Sequence, residues 1–203
     1  MVNRRKFLKS SGIAALSLSL GLKPSRTRAD EAPVHGGSLT WGVETEPSTL
    51  NPHLNGQAKA KLVLRNAYEC LLARSADGGY APWLAKDYSI SEDGRTYTFN
   101  LREDVTFSDG EAFDAAAVVM NFLKLKEPLY SGSISAGHVS HIAGATARDA
   151  HTVVLALNDV YAPFLDGASS IEIISPKSFS SPQLKAGGPA IAGTGPFILD
   201  RYV

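Results

Sequence analysis

The 203 residues carry 20 Lys and Arg against 20 Asp and Glu, 44% hydrophobic residues and a single cysteine, Cys70. One cysteine excludes an internal disulfide, and the hydrophobic share is that of a chain able to build a core, not of a disordered or fibrous one. The charge is unevenly spread: residues 1–29 hold seven Lys and Arg and no acid, which leaves 13 basic and 20 acidic residues beyond them, a net of −7. A mildly acidic remainder argues against nucleic acid or an anionic membrane surface as partner.

The basic start has the pattern of an export signal. Asn3-Arg4-Arg5-Lys6-Phe7-Leu8-Lys9 is similar to a twin-arginine motif, and Gly12 to Leu22 is an apolar run too short to span a membrane as a stable helix. Lys23, Arg26 and Arg28 follow it, and Thr27-Arg28-Ala29 offers small residues for cleavage. An ordinary secretory signal and a disordered basic tail on a cytosolic protein stay open as readings. No cysteine follows the run, so no lipid anchor is indicated.

Leu39, Trp41 and Val43 alternate with small or polar residues and predict a first strand. Glu46 to Gly56, with two prolines, two asparagines and a glycine, predicts an irregular accessible segment. Ala58 to Ala73 reads as a helix with Leu64, Tyr68, Leu71 and Leu72 on one face, Cys70 within its apolar side, and Lys59, Lys61 and Arg65 facing water or a ligand. Tyr88 to Ser91 and Thr96 to Leu101 alternate about Glu92-Asp93-Gly94-Arg95, a hairpin pattern, and Val105 and Phe107 extend it to a turn at Asp109-Gly110. Asp114 is placed to cap a helix over Ala115 to Lys126 that Pro128 stops. Ser131 to Gly137 reads as a small polar loop, and His141 to Ala147 with Thr152 to Leu157 as a second hairpin. Pro163 suits the start of a short helix to Ala168, Ile171 to Ile174 a buried strand, and Phe197 to Tyr202 a last strand after Gly193-Thr194-Gly195-Pro196.

Leu84-Ala85, Asp93-Gly94, Tyr97-Thr98-Phe99, Leu101-Arg102, Val105, Phe107 and Asp109-Gly110 together resemble the solute-binding proteins of ABC transporters, in the branch (extracellular solute-binding family 5) that carries peptides, nickel complexes and related solutes. Glu46-Pro47, Thr49-Leu50-Asn51-Pro52, Tyr68-Glu69, Thr152-Val153 and Gly193-Thr194-Gly195-Pro196-Phe197 fit the same pattern in the same order. Cys70 stands where the family usually has glycine, and Ala117 where it usually has an acid. The resemblance implies an α/β, periplasmic-binding-protein-like (class II) lobe I carrying an inserted α+β subdomain, with the second lobe absent. The expected division is 1–29 signal, 36–55 first part of the lobe, 56–157 inserted subdomain and 158–203 the truncated return. Leu39 to Val43, Ile171 to Ile174 and Phe197 to Tyr202 are expected to pair in one sheet, and half a trap is expected to hold solute weakly when alone.

The resemblance also implies function: capture of a peptide or related small solute between two lobes and delivery to membrane permease subunits, without catalysis or cofactor, by a protein monomeric at full length. Carried over by position, the ligand-binding residues are Asn55, Gly56, Gln57 and Ala58, with Tyr130 in addition. From the residues themselves, an irregular segment offers free backbone groups to an extended ligand, and Asn55 and Gln57 can both donate and accept. An ordinary surface loop is the plain alternative. A hydrolase exported by the same route, and a module presenting solute to a receptor, are the other readings of function. His138 and His141 fall on opposite faces if extended, which disfavours a metal pair.

Overall fold

Two hairpins interlock to make the main sheet, as the alternating patterns require. The computed structural model describes residues 36–44, 46–55, 57 and 59–201. Strands β1 (Leu72–Arg74) and β2 (Tyr80–Pro82) form a small antiparallel pair. β3 (Ala85–Ile90), β4 (Thr96–Leu101), β5 (Ile142–Ala147) and β6 (Thr152–Leu157) form a four-stranded antiparallel sheet in the order β3-β4-β6-β5. The β3–β4 turn closes on Gly94, whose φ of 69° favours glycine, while Asp93 accepts from the Ser91 hydroxyl and the Arg95 amide. Phe99 stands opposite Val153, and Tyr97 opposite Leu155, in the central β4–β6 register. One face of that pair, with Tyr97, Phe99, Leu101, Val153, Leu155 and Leu157, is buried.

Helix α1 (Ala60–Leu64) precedes β1, α2 (Ala115–Lys124) and α3 (Ile134–Val139) lie between the hairpins, and α4 (Phe164–Ala168) follows β6. α2 packs on β5 and β6 and sends Val118, Phe122 and the adjoining Leu125 into the core shared with the sheet. Asp114 caps it as the sequence predicts, its carboxylate accepting from the Ala117 amide at 2.8 Å. Asp114→Ala is expected to cost about 1 kcal/mol of stability, read from urea melts, because that amide then lacks a partner. Asn121, fully buried on α2, donates to Ile174 O and accepts from Ile174 N, which joins the helix to the segment 171–174.

Several expectations are corrected. The helix expected over Ala58 to Ala73 is α1 alone, with Ala58 outside the described residues. Asn66 ends it by donating to the carbonyls of Leu62 and Val63. Beyond it, Ala67, Glu69, Cys70 and Leu71 give their carbonyls to Gly195, Ile173, Leu84 and Ala85. Long-range backbone pairing overrides the helical spacing of this stretch. The loop expected at Ser131 to Gly137 contains α3, because Ser133 caps the Ala136 amide and Val139 is buried.

No strand covers Leu39 to Val43, which carries no regular structure and leaves Leu39 91% exposed. None covers 197–201 either, and Tyr202 lies outside the described residues; Phe197 donates to Asn66 O but is 66% exposed. Ile171 to Ile174 is buried as expected, yet its one bridge is Glu172 to Cys70. Alternation specifies a face and not a neighbour, so the three-stranded pairing is not formed. The proposed signal, residues 1–29, also lies outside the described residues. Among the described residues no helix is long and apolar enough to cross a membrane.

From Val43 onward the chain packs as one compact unit with two apolar clusters. The larger lies between the sheet and α2, α3 and α4. The smaller joins Ala60 and Leu64 of α1 to Leu50, Tyr68, Ile174 and Ile191. It seats the buried face of α1 and leaves its polar face to the site described next.

Candidate functional site

The segment 49–55 is irregular, as predicted, but it is held by hydrogen bonds within itself and to residues 184–186. Asn51, fully buried, donates to Leu184 O at 2.6 Å and accepts from the His53 amide at 2.8 Å. Asn55 donates to Thr49 O at 2.7 Å and accepts from the Gln57 amide at 2.8 Å. Asn55 is thus 5% exposed and used at both ends to shape the loop, whereas Gln57 is exposed. Gly56 and Ala58 lie outside the described residues. Tyr130, in the short 3-10 turn Pro128–Tyr130, is buried, its hydroxyl makes no hydrogen bond among the described residues, and burial raises its pKa to about 12.

His53, which the sequence did not single out, brings this loop to Tyr130. Its ring meets Tyr130 edge-on at 5.9 Å and lies 5.9 Å from Phe179. Nε2 is 2.7 Å from Glu172 O; a carbonyl can only accept, so Nε2 carries the proton and Nδ1 does not. Burial lowers the His53 pKa to about 4, and nearby Lys61 adds to the effect, so the ring is neutral at pH 7.

Beside it sits a charged cluster. Glu172 is fully buried in the middle of Ile171-Glu172-Ile173-Ile174, and burial raises its pKa against the opposing pull of Lys61. Lys61 Nζ lies 3.2 Å from Glu172 Oε1 but is aimed at Ser170 O, 2.8 Å away. The carboxylate is therefore ion-paired with an ammonium shared with a carbonyl, an arrangement that recovers only part of its desolvation cost. Arg65, one residue past α1, donates to Ser169 O at 3.3 Å. The field of Lys61 also reaches half-buried His138 on α3, whose Nδ1 has no hydrogen-bond partner among the described residues and whose pKa is lowered chiefly by burial.

Cys70 is buried, and both burial and Glu172 raise its pKa far from the thiolate form a nucleophile needs. Among the described residues no group of His, Cys, Asp and Glu could hold a metal ion. His141 stacks on Tyr161 with ring centroids 3.7 Å apart. An open depression of about 570 Å3 is lined elsewhere, by Lys126, Glu127 and Ser131 to Ser133 among others, and Lys126 there is engaged with Ile142 O.

Of the positions read as ligand-binding, Asn55 lies in the loop that His53 brings against Tyr130, and Gln57 is on the surface. Lys61 and Arg65 carried a signal in the sequence, as cations on the polar side of a helix. Glu172 carried another, as a lone acid in an apolar run.

Comparison with known proteins gives the class. The model for bacterial extracellular solute-binding proteins, family 5 Middle, matches residues 79–203. The chain belongs to this family of solute-binding proteins. The nickel-binding periplasmic protein of Escherichia coli (strain K12) is 37% identical over 169 residues, covering 81% of this chain and 31% of that protein. The glutathione-binding protein GsiB of the same strain is 28% identical over 200 residues, covering 95% of this chain and 36% of that protein. Among solved structures, NikA from Brucella suis in complex with Fe(III)-EDTA matches with a TM-score of 0.61 and 34% identity, over 77% of this chain and 32% of that one. The chain therefore spans about a third of the length of these relatives.

Proposed function

We propose that the protein is the solute-binding component of an ABC importer, capturing a peptide, a metal chelate or a related small solute in the periplasm and delivering it to membrane permease subunits. The observation that carries this reading is the family match together with 37% identity to a periplasmic nickel-binding protein. The cluster around Lys61 supports it, since it presents fixed polar groups without an activated nucleophile. In this reading residues 36–55, 56–157 and 158–203 are parts of one lobe, the middle part an inserted subdomain, and residues 1–29 direct export by the twin-arginine route. Asn55 shapes the loop that borders the solute, and Gln57 is its exposed polar contact.

Uptake measurements test the reading. Cells lacking the gene are expected to lose uptake of one of three solutes, nickel chelate, peptide or glutathione, and to regain it on complementation. Unchanged uptake of all three would overturn it. Replacement of both Arg4 and Arg5 by Lys is expected to leave precursor in the cytoplasm, and normal export of that variant would exclude the twin-arginine route.

A further inference from the structure

Lys61 and Arg65 place two cations on consecutive carbonyls. Lys61 Nζ is 2.8 Å from Ser170 O and Arg65 Nη2 is 3.3 Å from Ser169 O, so both heads are anchored on one dipeptide. The acid paired with Lys61 is Glu172, buried beneath it. The other nearby acid, Asp166, is committed to Arg74 and to the Tyr80 hydroxyl. The two cations outnumber the one remaining acid, so the cluster carries net positive charge whichever form Glu172 takes.

That charge faces solvent. Arg65 is exposed and, among the described residues, its guanidinium makes only the one long hydrogen bond, which leaves most of its five donors unused. The Lys61 side chain is 21% exposed, and its three donors have two protein partners, Ser170 O and Glu172. A fork of guanidinium donors beside a fixed ammonium matches the two oxygens of a carboxylate. The carbonyls of Ser169 and Ser170 come from the C-terminal end of α4 and surround the cations with partial negative charge, which disfavours a dianion such as phosphate.

We infer that Lys61 and Arg65 form a receptor for a single carboxylate group of the transported solute, with Glu172 fixing the Lys61 ammonium in place. The inference rests on the solute-binding reading above and names the chemical class that site selects. Arg65 supplies the bidentate contact, and Glu172 acts through Lys61 as a positioning residue. The solute is therefore an organic acid, an acidic chelate or a peptide with a free carboxyl end, bound through that end.

The test uses the full chain, labelled with nitrogen-15, titrated at constant ionic strength with succinate, with its neutral isostere succinamide, and with inorganic phosphate. Succinate is expected to move the amide signals of Ser169 to Glu172 saturably, and succinamide to leave them in place. Arg65→Gln removes no buried partner and is expected to weaken succinate binding about tenfold, with Arg65→Lys intermediate because it keeps charge without the fork. Lys61→Gln is expected to weaken it similarly, and Glu172→Gln to weaken it less. Equal responses to succinate and succinamide, an equal or stronger response to phosphate, absence of any response, or binding indifferent to Arg65→Gln would each overturn the inference. A neutral solute bound and imported with no effect of Arg65→Gln would sink the carboxylate receptor and leave the importer reading standing. Arg65-dependent succinate binding in a protein whose loss affects no uptake would do the reverse.

Discussion

Lowering the pH from 7 to 4 is expected to remove roughly 3 kcal/mol of stability at His53 alone. The ring is buried and neutral, with its pKa lowered from 6.5 to about 4. A folded-state value below the unfolded one means that the unfolded chain takes up the proton first. The contribution is therefore complete above about pH 6.5, declines as the pH falls, and is gone below about 4, and a gap of roughly 2.5 pKa units corresponds to roughly 3 kcal/mol. Glu172 works in the opposite sense: burial raises its pKa, so its share of stability is present at low pH and is lost as pH rises through the folded value. Two substitutions separate them. His53→Gln keeps a donor toward Glu172 O and does not titrate, so its urea-melt stability should change less between pH 7 and 4 than that of the parent by about 3 kcal/mol. Identical pH slopes for parent and variant would mean that His53 is not held neutral in the fold. Glu172→Gln should leave the His53 slope and abolish the opposing one.

A single methyl group at Gly193 is expected to cost the fold about 3 kcal/mol or more, at the upper end of what overpacking does. A Cβ there would stand 2.1 Å from Ala67 O and 2.5 Å from Tyr68 Cδ1, and at Gly195 2.6 Å from Asn66 O. Neither glycine has a positive φ, so the constraint is space between two backbones and not conformation. The wall is main chain that also accepts a 3.0 Å hydrogen bond from Gly195 N, so it cannot yield as a side chain would. Gly144 in β5 is the control, since a Cβ there meets nothing within 4 Å and φ is ordinary; Gly144→Ala should melt at or slightly above the parent temperature. Equal melting of Gly193→Ala and Gly144→Ala would show that the two backbones are not in contact.

What the sequence disclosed follows from how local each signal is. The hairpin around Gly94, the Asp114 cap, the second hairpin and the short helix after Pro163 each rest on neighbours within a few residues, and all are present. The segment from Asn66 to Leu71 was misread as helix because its partners, Leu84, Ala85, Ile173 and Gly195, are remote in sequence. The same holds for the site. Asn55 was legible as a loop residue, but its two hydrogen bonds within the loop are a property of the folded backbone. His53 and Glu172 come together across a separation of 119 residues, and no periodicity reports such a meeting. The glycines of Gly193-Thr194-Gly195 were visible as a constraint, and the structure supplies the cause, contact with Asn66, Ala67 and Tyr68.

The bridge between Cys70 and Glu172 also gives the molecule an internal clock. Cys70 is the sole thiol in the sequence and is fully shielded where two distant segments meet. A thiol reagent can modify it only when that junction opens, so the labelling rate at one atom measures how often the segments around residues 70 and 172 part. At reagent concentrations low enough that reclosing outruns modification, the ratio of that rate to the rate for an unfolded chain gives the opening free energy. Because the junction lies under the ammonium of Lys61, solute arriving above it should slow the clock, and occupancy is then timed at the native thiol without a second cysteine.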